Sequence, residues 1–132
     1  MTIQYSTTLR NNKLDQVEST ISTGAILKIL TGTVPNSPAT IDSGTTLVVM
    51  TLPSDWMAAA SGGTKAKQNT WQVSAVGTGT CGYFRMYDST AGTCHVQGTC
   101  GQGSGDLSFD NSSVNSGQVV TVNTFTLTAG NA

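Results

Sequence analysis

Cys81-Gly-Tyr-Phe-Arg-Met-Tyr87 and Cys94-His-Val-Gln-Gly-Thr-Cys100 flank the segment Asp88-Ser-Thr-Ala-Gly-Thr93. The flanks hold aromatic and small apolar residues, and the middle holds the Asp and Gly that a short reversal requires. The stretch reads as a β-hairpin. If Asp88 pairs with Thr93, partner numbers sum to 181 and Cys81 lies opposite Cys100. Opposite Cβ atoms approach to roughly 4.5–5.5 Å, so a Cys81–Cys100 disulfide is geometrically open to the chain. A one-residue slip removes that argument, and synthesis in the cytoplasm favours free thiols. Cys94 and Cys100 are separated by roughly 20 Å of strand and cannot bond to each other.

Further strands flank the hairpin on both sides. Ala25 to Leu30 reads as a buried strand with Lys28 at a solvated position. Thr45 to Leu52 is almost continuously apolar, as a central strand would be. Asn69 to Val76 alternates, as a half-buried strand does. Asp106 to Asp110 is a short strand, and Gln118 to Thr128 is the longest. Its apolar phase changes midway, from Val120 and Val122 to Phe125 and Leu127, which requires a bulge near Asn123. Between these lie a long loop, Thr31 to Gly44, marked by Gly32, Pro35, Pro38 and Gly44, and a turn and loop over Asp55 to Gly63. Lys65 and Lys67, in the loop Gly63-Thr-Lys-Ala-Lys-Gln that follows, are expected to be solvated.

One helix is expected, over 9–23, after an N-terminal arm at 1–8. Leu14, Val17 and Ile21 recur at helical spacing, with Ser6, Thr7 or Thr8 as cap candidates and Gly24 at the far end. Seven or eight short strands plus one short N-terminal helix define the expected fold class: all-β, a single β-sandwich over 1–132, jelly-roll-like.

Composition supports that class. The chain has 132 residues, 22 of them Thr and 15 Gly, with a single Glu. Thr suits half-buried pleated surface, and scarce Glu and Lys leave few good helix surfaces. Size scaling expects roughly 6,600 Å² of folded surface, enough for one real core. Charged residues make up 10% and the net charge is −1. Non-specific nucleic-acid binding needs far more Lys and Arg, so no nucleic-acid partner is expected. No apolar run reaches 18 residues and the start lacks a basic and apolar leader pattern, so neither membrane insertion nor export is expected.

Catalytic signals are weak. His95 is the only His and no G-x-S-x-G accompanies it. Asp106 and Asp110 sit about 13 Å apart on one strand face, too far for paired-carboxylate work. Cys94, His95 and Cys100 lack zinc-ligand spacing. Gly101-Gln-Gly-Ser-Gly105 lacks the Lys-Ser/Thr and the helix of a phosphate loop. No enzyme, cofactor or metal is therefore expected. The interface candidates are the terminal segment Thr2, Ile3, Gln4 and Tyr5, which can add to a sheet edge, and Trp56 with Met57, set among turn residues. Those two can equally plug one end of the sandwich.

Several segments carry a resemblance: Arg10-Asn-Asn-Lys-Leu-Asp-Gln-Val-Glu18, Leu27-Lys-Ile-Leu-Thr-Gly32 followed by Pro35, Ala58-Ala-Ala-Ser-Gly-Gly63, Gly82-Tyr-Phe-Arg-Met-Tyr87, Gln97-Gly-Thr99 and Phe125-Thr-Leu-Thr-Ala-Gly-Asn-Ala132. In that order they resemble a family of small proteins encoded in the structural-gene region of tailed bacteriophages and prophages. The resemblance implies a virion structural protein, a capsid cement or decoration protein on the outer surface of the head. Its implied partners are the major capsid protein and itself, as a homodimer or homotrimer, after synthesis in the host cytoplasm. It supplies no catalytic or ligand residues. Two alternatives stay open: a head–tail or tail component, and a carbohydrate-binding sandwich using Trp71, Tyr83 and Tyr87 for adsorption.

Overall fold

The hairpin read from sequence sits at the middle of the molecule's main sheet. The computed structural model describes residues 3–129. Strands β6 (Tyr83–Tyr87) and β7 (Cys94–Gln102) form the hairpin. Asp88 N–H donates to Thr93 O at 3.3 Å, so the turn closes where the sequence placed it. Asp88 Oδ1 accepts from the Thr90 and Gly92 amides, holding Ala91 at φ 57. The pairing then slips. Tyr87 faces Cys94, but Met86 faces Val96, which leaves His95 as the extra residue of a bulge. From there partner numbers sum to 182, so Cys100 lies level with Gly82 and not with Cys81.

On the other side β6 pairs with β1 (Ile26–Leu30), and β1 with β2 (Thr46–Thr51). Beyond β7 come β8 (Leu107–Phe109) and β10 (Val119–Thr128). The far side of β10 carries β4 (Gln72–Ser74) along its first half and β3 (Thr64–Ala66) along its second. The expected bulge in β10 is present, as a register shift between Val122 and Thr124. Just after β4, the Val76 and Gly77 amides both donate to Leu47 O of β2. The sheet therefore curls until its two ends meet at that point. A small ribbon of β5 (Gly79–Thr80) and β9 (Ser113–Val114) lies apart from it. The fold is all-β and sandwich-like, as the alternating patterns implied.

One pairing is unusual. β7 and β8 run parallel with only four residues between them. Parallel neighbours normally need a long crossover. Here Gly103 at φ 68 and Gly105 at φ 82 let the chain double back twice in the Gly101–Gly105 loop.

Helix α1 spans Thr7–Ile21, two residues earlier than expected. Ser6 Oγ accepts from the Leu9 amide at 3.1 Å and so caps the first turn. The Ser22 amide, at φ 70, donates to Glu18 O and ends the last turn. Leu14 and Ile21 are buried beneath it. No helix among the described residues is long and apolar enough to cross a membrane. The core runs through an aromatic chain, Trp56–Trp71–Phe125–Phe84, with centroid spacings of 6.1, 5.8 and 5.4 Å. Total accessible surface is 6590 Å², close to the size-scaling expectation.

Candidate functional site

Strand β6 is buried at all five positions, which a one-sided sheet would not produce. Phe84 and Met86 face the core. Tyr83, Arg85 and Tyr87 face the other way and are covered by the long loop between β1 and β2. Arg85 is 1% exposed and acts as the hub of that cover. Its Nη1 donates to Thr40 O at 2.6 Å and to Asp42 Oδ1 at 2.9 Å. Its Nη2 donates to Ser37 O at 3.1 Å and, together with Nε, to Gln97 Oε1. Gln97 Nε2 in turn donates to Pro35 O at 2.7 Å. Tyr83 Oη donates to Ser43 O and accepts from the Ser43 amide. A planar guanidinium with five donors is suited to holding several carbonyls at once.

Around Arg85 one carboxylate, Asp42, is shared by two cations. Asp42 also accepts from Lys28 Nζ at 3.2 Å and from Tyr87 Oη. Burial would raise the Asp42 carboxyl, but the Tyr87 and Lys28 hydrogen bonds, with the charge of Lys28 and a bond from Arg85, hold it below the usual carboxylate range. Burial and the bond to Asp42 push the Tyr87 phenol up to about 12. An open cleft of about 260 Å³ lies beside this cluster, lined by Lys28, Ile41, Asp42, Arg85, Tyr87 and Cys94. Burial raises the Cys94 thiol, and the Arg85 charge partly offsets this.

What the cluster does physically is fix a loop. Every polar side-chain atom buried among the described residues has a hydrogen-bond partner. The loop so fixed carries Ile41, which is 85% exposed, the most exposed large apolar side chain described. A backbone held this firmly would lose little ordering entropy if the exposed isoleucine docked on another surface.

The other expected site residues fall in different places. Trp56 and Met57 are 0% and 2% exposed, so they are core residues and not interface residues. Trp56 Nε1 donates to Ser22 O at 3.1 Å, which draws the indole under the end of α1. This is the plugging role left open by the sequence. Ile3, Gln4 and Tyr5 precede α1 outside any strand and are exposed, with Lys13 Nζ 3.7 Å from the Tyr5 ring centroid. Thr2 lies outside the described residues. Trp71, Tyr83 and Tyr87 are buried and offer no stacking face to a sugar. Cys81, Cys94 and Cys100 are free thiols.

Lys65 overturns the solvated reading of its loop. It is 1% exposed, on β3 under α1. Its Nζ contacts Asp15 Oδ1 at 2.7 Å, Glu18 Oε1 at 2.9 Å and Ala58 O at 2.9 Å. Lys67 keeps its place at the surface, donating to Asn69 O. Asp106 accepts from the Thr99 amide and Asp110 from the Thr121 amide, so both carboxylates are taken up by backbone N–H groups. Among the described residues no three His, Cys, Asp or Glu side chains gather to hold a metal ion. No family model, curated protein or solved structure matches the chain.

Proposed function

We propose that this chain is a virion structural protein of a tailed phage, a cement or decoration protein that binds the major capsid protein on the outside of the head. The observation that carries the reading is the clamped loop with Ile41 at its crest, on a surface poor in charge. Clamping a shell against internal pressure requires buried area at many equivalent sites and no chemistry. Moderate contacts repeated over symmetry-related copies, by a dimer or trimer, supply the avidity. The sequence resemblance to phage structural-region proteins points the same way.

The test is binding of the purified chain to heads lacking it. Ile41→Asp is expected to fold with stability within about 0.5 kcal/mol of the parent, since the side chain is solvated. It is also expected to lose at least tenfold in head affinity. Undiminished binding by the variant would remove the loop from the interface, and no binding by the parent would remove the reading.

A further inference from the structure

We infer that Cys81 and Cys100 are a redox-closed staple: oxidation by a small-molecule disulfide joins their sulfurs and ties the β6–β7 hairpin to the β5–β9 ribbon.

The geometry is the warrant. Cys81 Sγ donates to Cys100 O at 3.5 Å, and the two half-buried thiols lie close enough to influence each other's ionisation. Both backbones are held in place. The Cys81 amide donates to Ser112 O beside β9, and the next amide, Gly82, donates to Leu30 O of β1. Gly82 is pressed so close to Gly32 that an added Cβ would overlap it. Cys100 pairs with Leu107 of β8 and bridges to Gly105. Two thiols fixed this way have little freedom to lose on bonding. Cys81 sits where the ribbon runs into the hairpin, so a bond from it to β7 crosses that junction. Cys94 is excluded. It lies at the other end of β7, its Sγ donating to Val96 O, about 20 Å of strand away from Cys100.

The chemistry is two exchanges. The Cys81 thiolate attacks one sulfur of oxidised glutathione, and a glutathione thiolate leaves. The Cys100 thiol then gives its proton to solvent, and its thiolate attacks the Cys81 sulfur, displacing the second glutathione. Two protein thiols are oxidised and one glutathione disulfide is reduced. Cys81 attacks first because it is the less buried of the two. Burial raises both thiols, so closure is slow at neutral pH and accelerates about tenfold per unit up to pH 8. A particle protein made in a reducing cell would meet such an oxidant on release.

The experiment treats the full chain with oxidised glutathione at pH 8, with Cys94→Ser, Cys81→Ser and Cys100→Ser alongside. The parent and Cys94→Ser are expected to lose 2 Da, to yield one peptide pair linked through Cys81 and Cys100, and to gain about 10 °C in Tm, reversed by dithiothreitol. The other two variants are expected to show none of this. Thiols that stay free at equilibrium, adducts that stop at the glutathione stage, a link through Cys94, or closure without a Tm gain would each overturn the proposal. None of these readouts depends on head binding, so failure here leaves the proposed function to its own test.

Discussion

Two cations are buried in this protein to the same extent and serve similar ends by different chemistry. Arg85 and Lys65 are each 1% exposed, and each ties a non-strand segment to the sheet. Arg85 holds the β1–β2 loop mainly through neutral acceptors, the carbonyls of Ser37 and Thr40 and the Gln97 amide, with Asp42 as its one carboxylate. Lys65 holds α1 through two carboxylates whose side chains remain 47% and 27% exposed, plus a single carbonyl. The forked group has become a fixed pin and the point charge an ion-pair latch. The loop that bears Ile41 thus rests less on ionised partners than the helix does.

The largest effect is expected at the pin. Arg85→Ala strands Asp42, Gln97 and two carbonyls and should cost about 3–5 kcal/mol in chemical denaturation. Arg85→Met should do no better, because an apolar chain leaves the same acceptors unpaired. A Met variant near parental stability would break the comparison from its stronger side.

At the latch the substitutions should separate. Lys65→Ala is expected to cost about 2 kcal/mol, less than at Arg85 because its carboxylate partners are partly solvated already. Lys65→Met should be within about 1 kcal/mol of the parent, since the freed carboxylates can turn to water.

Acid sharpens the difference. The hydrogen bond from Lys65 holds Asp15 below its ordinary range, with help from the Ala60 amide. A carboxyl depressed by folding stabilises the fold above its unfolded value and loses that contribution as pH falls through the folded one. The loss therefore lies below about pH 4. Protonating Asp15 takes one of its two carboxylates from the buried Lys65 ammonium. Protonating Asp42 still leaves Arg85 four neutral acceptor groups, the Ser37 and Thr40 carbonyls, Gln97 Oε1 and Tyr87 Oη. Hydrogen-exchange protection should fall first in α1 and later at Thr31 and Ser43, and Lys65→Met should abolish the early step. Simultaneous loss in both regions would contradict the distinction.

The smallest effect concerns Tyr87. Its phenol ionises near 12 in the fold, so its contribution is complete below about pH 10 and is lost as pH rises through 12. Tyr87→Phe should cost about 1 kcal/mol at pH 7 and remove the step near 12 from the alkaline absorbance titration.

What could be read from sequence followed the length of the pattern. β1, β2, the hairpin and β10 each carry enough apolar residues to announce themselves, and the phase change in β10 disclosed its bulge. β3, β5 and β9 are two or three residues long and sit in Gly- and Thr-rich context, where no periodicity can develop. Lys65 is the clearest case. Gly63-Thr-Lys-Ala-Lys67 looks solvated, and only Asp15 and Glu18, about fifty residues upstream, decide otherwise. Arg85 was legible as part of a strand but not as a hub, because its acceptors are backbone carbonyls of a loop whose path no local signal dictates. Trp56 beside turn residues is ambiguous until Ser22 O is seen to receive its N–H. The hairpin register missed by one because a bulge at His95 leaves no mark in composition.

The central functional claim is tested most directly by the copy number of this chain in purified phage particles, measured by quantitative mass spectrometry against the major capsid protein. A head cement should be present in hundreds of copies, near a simple ratio to the shell subunit. A dozen copies or fewer would assign it to the neck or tail, and absence from the particle would contradict the virion reading altogether.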